Sequence, residues 1–411
     1  MRLNYKRLGD YIQTVNIRNK NLEVETLLGV SIRKVLMPSI ANTIGTDMSR
    51  YKIINKNQFA YSSVTSRNGD KISIALLENH DKALVSQAYT VFEIIDDKTL
   101  NAEYLMMWFR RPEFDRYARF KSHGSARETF DWEELQDTEL PIPSIEKQHE
   151  IVKEYNTVAN RITLNETINK KLEDTAQALY KNWFVDFEFP NEQGKPYKSN
   201  GGKMVYNEEL DLDIPLGWEV KKIKDFCFEM MNGGTPNRGI AEYWNSNDIP
   251  WLKTGEVENN IIIKAEEYIS KKGFKNSSAK LFPKETVIMA MYGATAGQLS
   301  YLKFETTTNQ ACCGMICKNK NHSAYLYYYL LKNQEEIANM ATGGAQPNLS
   351  KNIIEDLLII KPKDEILLNS SLSKLINHRE IFTREILNLS EIKNLLLSKM
   401  SKVAIEKEMV C

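Results

Sequence analysis

The chain has 411 residues, with 54 Lys and Arg against 54 Asp and Glu, and is 42% apolar and 26% charged. That length holds two or three domains, and the composition is that of a folded globular protein rather than a disordered one. The longest apolar runs, 311–317 and 325–331, fall far short of the roughly 18 residues a membrane span needs, so no contact with a membrane is expected. No apolar segment of a secretory signal follows Met1-Arg2-Leu3-Asn4-Tyr5-Lys6, and five Cys, an odd number, make no disulfide framework. A reducing cytoplasm is the expected location.

Along the first half, residues 58–63, 72–77 and 88–95 have the β-branched and aromatic content of strands, and 102–121 has the apolar spacing of a helix. A Gly-rich loop, Gly124-Ser125-Ala126-Arg127, and an aliphatic run ending at Pro143 follow. From Ile151 a heptad-like seam then passes through Tyr155, Val158, Ile162, Asn165, Asn169, Leu172, Ala176 and Leu179 to Trp183 in steps of four and three. Residues 190–202 are polar and turn-rich, as a connector is. The second half repeats the plan, with strands expected at 287–291, 297–302 and 311–317, a helix at 323–340, and Gly343-Gly344-Ala345-Gln346-Pro347-Asn348 before an aliphatic run ending at Pro362. A second seam runs from Leu368 through Leu372, Leu375, Arg379, Phe382, Ile386, Leu389, Lys393, Leu396 and Met400 to Val403.

The two halves are therefore a tandem duplication with a period of about 217 to 223 residues. Leu8-Gly9-Asp10-Tyr11 answers to Ile223-Lys224-Asp225-Phe226, Ser86-Gln87-Ala88 to Asn309-Gln310-Ala311, and Tyr104-Leu105 to Tyr325-Leu326. Each seam predicts a helix of roughly 50 Å at 1.5 Å per residue that needs a partner for its stripe. The partner is the other copy, or else each helix packs on its own domain. Polar seam residues Asn165, Asn169, Arg379 and Lys393 would fix register. The expected organisation is a first α+β module over 1–145, a spacer helix over 146–190, a connector over 191–219, a second α+β module over 220–362 and a C-terminal helix over 363–411.

No catalytic or cofactor motif stands out. There is no G-x-G-x-x-G after a strand and no phosphate-binding G-x-x-x-x-G-K-[ST], His149-Glu150 lacks the second His of a zinc protease helix, and the Asp/Asn-Pro-Pro-aromatic signature of amine methyltransferases is missing. Cys313, Cys317 and His322 have a loosely metal-like spacing, but 312–317 reads as a buried strand. The loops of the second half, Asn232-Gly233-Gly234-Thr235-Pro236 and Tyr292-Gly293-Ala294-Thr295-Ala296-Gly297 with 343–348, are rich in Gly and small polar residues, which suits close approach to a ligand as well as simple turns.

The duplicated α+β module with its long helices resembles the specificity subunit of Type I restriction-modification systems over essentially the whole chain. The local words agree: Ala178-Leu179-Tyr180-Lys181-Asn182-Trp183-Phe184-Val185-Asp186-Phe187, Ile214-Pro215-Leu216-Gly217-Trp218-Glu219, and Gly343-Gly344-Ala345-Gln346-Pro347-Asn348-Leu349 are similar to that family's spacer end, second-domain opening and second-domain closing. The first half departs in having Gly124-Ser125-Ala126-Arg127-Glu128 at its closing loop and no Gly-Gly-Thr-Pro.

The resemblance implies two target recognition domains joined by two long antiparallel helices, a coiled-coil-like spacer with pseudo-two-fold internal symmetry. Each domain would read one half of a split double-stranded DNA target, with the helices setting the gap. It implies a chain with no catalytic residues and no cofactor or metal of its own. Partners would be modification subunits, expected as two, carrying S-adenosylmethionine and methylating an adenine amine, and restriction subunits, expected as two, carrying ATP and Mg. Candidate DNA contacts are Arg67 and Arg127 in the first half and Thr235, Tyr292, Gln346 and Asn348 in the second. Trp183, Phe184 and Phe187 are the candidate partner-docking residues, Trp183 being equally a seam residue. The rival readings are a self-contained DNA-modifying enzyme and a helical scaffold.

Charge gives modest support: residues 1–145 hold 20 Lys and Arg against 19 Asp and Glu, and 220–362 hold 17 against 14. The visible basic clusters are Arg110, Arg111, Arg116, Arg119 and Lys121, and then Lys271, Lys272 and Lys275, although such clusters are commonly solvated helix faces.

Overall fold

The computed structural model describes residues 5–39, 45–65, 71–123, 128–341 and 348–401. Two compact units result, one made of residues 1–162 with 388–411 and the other of 163–387.

The first unit contains β1 (Tyr5–Arg7), β2 (Ile12–Val15), β3 (Leu28–Val30), β4 (Leu36–Pro38), β5 (Lys52–Asn55), β6 (Phe59–Ser62), β7 (Ser73–Leu76), β8 (Lys82–Val85) and β9 (Thr90–Ile94). Helices α1 (Ala102–Phe109), α2 (Pro112–Lys121) and α3 (Trp132–Gln136), strand β10 (Glu139–Pro141) and the first half of α4 (Ile145–Tyr180) complete it. Its main sheet is antiparallel in the order β2-β9-β6-β7. Alternation along β6 sends Phe59 and Tyr61 into one core with α1 and α2 and Ala60 into a second core with Leu28, Ile54 and Val85, so both faces are covered.

The second unit repeats this scheme. After the rest of α4 come the hairpin β11 (Met204–Asn207) and β12 (Leu212–Pro215), then β13 (Glu219–Lys222), α5 (Ile223–Phe226), β14 (Glu229–Asn232), β15 (Ile249–Leu252), β16 (Asn260–Ile262), β17 (Glu267–Ile269) and α6 (Lys271–Lys275). They are followed by β18 (Val287–Ala290), β19 (Leu299–Leu302), β20 (Thr307–Thr308), β21 (Cys312–Ile316), α7 (Lys320–Lys332), α8 (Gln334–Asn339), α9 (Lys351–Asp356), β22 (Leu358–Lys361), α10 (Asp364–Asn369) and α11 (Leu372–Lys399), whose last turns belong to the first unit. The sheet order β14-β21-β18-β19-β16 matches β2-β9-β6-β7 strand for strand, with β16 added in parallel to β19. In β21, Cys313 and Met315 enter one core and Cys312 the other.

The same bond closes both halves. Tyr104 donates its hydroxyl to the carbonyl of Pro141 (3.0 Å), and Tyr325 donates to that of Ile360. Both predicted single helices are split at the same place: Pro112, which has no N–H to give to an earlier turn, starts α2 afresh, and Asn333 ends α7. The second long helix also begins later than its seam suggests. Ser370 folds its hydroxyl back onto the carbonyl of Leu367, which ends α10 and leaves Leu368 exposed outside α11.

Within each unit the long helices pair antiparallel. In the second, Asn169 Nδ2 donates to Thr383 Oγ1 (3.2 Å) and Arg379 pairs with Glu173, so four residues forward on α4 are four backward on α11. In the first, Val152 and Tyr155 of α4 share a core with Leu397 and Met400 of α11. Asn165 is fully buried, and neither atom of its amide has a partner among the described residues.

The connector is packed rather than loose. Past α4 the chain takes one wider turn over Lys181–Val185, and Phe189 then stacks between Tyr197 and Trp218, with centroids 4.6 and 5.0 Å away. Phe184 and Phe187 are 2% and 1% exposed in this core. The expectation that they offer a docking face is therefore corrected: a sealed ring contributes packing to its own domain and has no surface left for a partner. Trp183 is partly buried against the same core.

Candidate nucleic-acid interface

Strand register decides which loops meet. In the second unit Asn232, at the end of β14, pairs with Cys313, and Ala290, at the end of β18, pairs with Cys312 at the start of β21. Hence the loops after β14, after β18 and before β21 all leave the same end of the sheet. Gly233 and Gly234 lock the first of them by donating their N–H groups to Cys312 (3.2 Å) and Thr308 (2.8 Å). A Cβ on Gly233 would lie 2.1 Å from Thr308 Oγ1, and one on Gly234 would lie 2.4 Å from the Ser278 carbonyl carbon. These two glycines are required for packing inside the domain, rather than for the approach of a ligand.

That locking holds Thr235 at the surface, where its hydroxyl donates to Gln310 Oε1 (2.6 Å) in the loop before β21. Next to it Asn309 and Thr254 exchange a hydrogen bond (2.7 Å). Tyr292, 41% exposed, forms an isolated antiparallel bridge with exposed Asn348, and Leu349 N–H donates to Met291 O (2.8 Å). Gly293 follows at φ 72°, a left-handed turn that an L side chain rarely adopts. Thr235, Tyr292 and Asn348 are thus brought to one end of one sheet, as their sequence positions alone could not establish. Gln346 lies outside the described residues.

The first unit builds the same corner with different side chains. Val15, at the end of β2, pairs with Val91, and Tyr61 of β6 pairs with Thr90, so the corresponding three loops again share one end. Val64 bridges Thr129 where Tyr292 bridges Asn348, and Phe130 N–H donates to Ser63 O (2.8 Å) where Leu349 donates to Met291. Ala88 N–H meets Ser86 Oγ (3.3 Å) as Ala311 N–H meets Asn309 Oδ1 (3.2 Å), which places exposed Gln87 where Gln310 stands. Arg67 and Arg127 lie outside the described residues.

Gln87 and Gln310 were not among the expected contacts, although the repeated words Ser86-Gln87-Ala88 and Asn309-Gln310-Ala311 carried the signal. Arg238 and Lys253 had none: Arg238 comes beside Thr235 by the course of one loop, and Lys253 by β15 running parallel to β20.

The basic clusters behave differently from free cation patches. Arg110 meets Glu78 (3.3 Å), Arg116 meets Glu113 (3.5 Å), Lys121 meets Glu134 (3.5 Å), and Arg119 pairs with Glu128. Arg111 is buried with its guanidinium 4.1 Å from the centre of the Trp108 ring. On α6, Lys272 is held by Glu242 (2.7 Å), while Lys271 and Lys275 are exposed. Glu267 is held below the usual carboxylate range: burial raises its pKa, but hydrogen bonds from Lys253 and Arg238 outweigh that. No group of three or more His, Cys, Asp or Glu suited to a metal ion occurs among the described residues. No helix among them is long and apolar enough to cross a membrane.

Comparison with known proteins places this architecture. The family model described as Type I restriction modification DNA specificity domain matches twice, over residues 34–174 and 215–405. The specificity subunit of the Type I restriction enzyme MjaIX of Methanocaldococcus jannaschii is 28% identical over 318 residues, 75% of this chain and 70% of that one. That of HindI from Haemophilus influenzae is 25% identical over 423 residues, covering 89% and 90%. Among solved structures, the Type I restriction-modification S subunit of M. genitalium superposes with a TM-score of 0.59 at 13% identity, covering 97% of this chain and 95% of that one, a likeness of fold.

Proposed function

The chain belongs to the Type I restriction modification DNA specificity family, and from that premise we propose that each half reads one half of a two-part double-stranded DNA target while the paired helices set the gap. The observation that carries this is the repeated corner: in both units three loops leave the same end of the same sheet, closed by bridges at Val64–Thr129 and Tyr292–Asn348. Such a corner offers amide, hydroxyl and guanidinium groups to base edges, while Lys and Arg around it hold phosphates.

The chain itself is non-catalytic in this reading. Modification subunits, two per complex, bring S-adenosylmethionine and transfer its methyl group to an adenine amine taken out of the stack. Restriction subunits, two per complex, bring ATP and Mg-dependent cleavage. The whole assembly works in the cytoplasm. Because the net charge is zero and the basic side chains of the 110–121 cluster are paired with carboxylates, the isolated chain binds DNA weakly, and the partners supply further phosphate contacts. With Phe184 and Phe187 sealed in the core, each unit keeps its own exposed apolar side chains on the long helices, Leu164 and Ile381 in the second and Ile392 and Leu395 in the first, and these are the candidates for docking. Replacing Leu164 and Ile381 by Ser, or Ile392 and Leu395 by Ser, is expected to weaken co-purification with the modification subunit.

The decisive experiment co-expresses the chain with a modification subunit and maps adenine methylation in host DNA by single-molecule sequencing. A two-part motif with a fixed gap is the expected result. A continuous motif, or none from a soluble complex of verified composition, overturns the reading.

A further inference from the structure

The loop that carries Thr235 also carries Arg238, and its surroundings set it apart from the other exposed cations described. Its guanidinium carbon lies 3.5 Å from the centre of the Trp244 ring and 4.6 Å from that of Trp251. The two indoles stand perpendicular, with centroids 5.0 Å apart. Each is anchored to the loop it serves: Trp251 Nε1 donates to Gly234 O (3.0 Å) and Trp244 Nε1 donates to Asn237 O (3.2 Å). One edge of the guanidinium is tied to Glu267 Oε2 (2.6 Å), whose other oxygen holds Lys253 (2.9 Å). Half of the Arg238 side chain remains exposed, and its other N–H groups have no partner among the described residues.

This is costly equipment for a surface ion pair, which by itself contributes little. Stacking on an indole and tying one edge to a carboxylate removes most of the rotamer freedom of an arginine, so less is lost when its free edge meets a ligand. Among base edges, the one that fits a planar two-pronged donor is that of guanine, through O6 and N7 in the major groove. Glu267 ties the guanidinium through Nη1, which leaves the remaining N–H groups as the edge free to meet a ligand.

We infer that Arg238 reads a guanine in the half-site addressed by the second unit, with Trp244, Trp251 and Glu267 as positioning residues. The inference rests on the recognition reading above and deepens it by assigning one base to one side chain. Lysine keeps the charge and can keep Glu267, but it has neither the fork nor the flat stack.

The test uses the full chain in complex with its modification subunit. Wild-type, Arg238→Lys and Arg238→Ala complexes are compared by motif mapping and by binding to duplexes varied at one position at a time, at several salt concentrations. Arg238→Lys is expected to relax a guanine at one position of one half-site by about five- to a hundredfold, leaving the other half-site and the melting temperature unchanged. Trp244→Leu gives a smaller loss at that same position. Unchanged preference at every position overturns the inference, as does uniform weakening on all duplexes with a shallower salt dependence, the mark of a phosphate contact. Should the wild-type complex show no two-part motif, the recognition reading fails first and takes this inference with it. Should Arg238→Ala fail to fold, Arg238→Lys still decides.

Discussion

The two halves of this protein share a scaffold and differ in what they place on it. Sheet order, the split helices, the Tyr-to-carbonyl closure and the bridge at the sheet end recur in both. At the corner itself the second half has Tyr292, Asn348 and a locked Gly-Gly loop, where the first has Val64, Thr129 and no such loop. The difference teaches that duplication preserved the strand register, which positions the loops, and left their side chains free to diverge. That is the arrangement needed for two modules that address different sequences from equivalent positions.

The comparison can be broken most severely at the buried lysines. In the first unit Lys34, 5% exposed at its side chain, faces Asp115 Oδ1 at 2.7 Å, and burial lowers its pKa despite that carboxylate. Lys34→Met leaves Asp115 nearly buried without its cation and is expected to cost about 3–5 kcal/mol in denaturant unfolding. Lys303 of the second unit is equally buried but sits among Glu285 (2.7 Å), Glu380 (3.1 Å) and Asn377 (2.8 Å), with both carboxylates near one-fifth exposed. Since water reaches what is left behind, Lys303→Met is expected to cost less, about 1–3 kcal/mol.

Next in size is Gly234→Ala, which drives a methyl group into backbone at 2.4 Å and should cost about 1–3 kcal/mol by thermal melting. The damage should appear as faster hydrogen exchange in the second unit alone, because the atoms that Gly234 meets, in Ser278 and Ala279, all belong to that unit.

The glutamine pair sharpens the comparison without unfolding anything. Gln87→Ala and Gln310→Ala should each weaken discrimination by about 1–3 kcal/mol at one base position, in opposite half-sites, when duplex binding is measured for the assembled complex. An effect of both on the same half-site would mean that the two corners are not equivalent.

The smallest effect concerns pH. His322 is buried, which lowers its pKa, partly countered by Asp364 at 3.3 Å. Tyr104 and Tyr325 correspond, so Asn101 stands in the first half where His322 stands in the second. Because the folded imidazole resists protonation, the unfolded chain gains the proton first as acid is added. The stability it contributes is therefore present above the ordinary value of about 6.5 and declines as pH falls below it. Chemical unfolding between pH 7.5 and 5 should show that slope in the second unit, and His322→Gln should flatten it.

Repetition and periodicity made much of this molecule legible from its residues. The duplication, the strand-rich modules and the two long seams follow from local patterns that burial imposes on strands and helices with periods of two and three and a half. Thr235, Tyr292 and Asn348 could be singled out because their loops are short, polar and marked by glycine. Gln310 was marked only by its repeated word, and Arg238 and Lys253 by nothing, since their significance comes from segments apart in the chain meeting in a particular register. The same limit explains the errors: the seam pattern does not show that Ser370 breaks the helix, nor that Phe184 and Phe187 are closed over by Tyr325 and Trp218. Sequence determined the kind of elements, their order and their repetition, because those depend on neighbours along the chain. Tertiary structure decided which side chains share a surface and which are sealed, because that depends on strand register and core packing between residues up to a hundred or more positions apart.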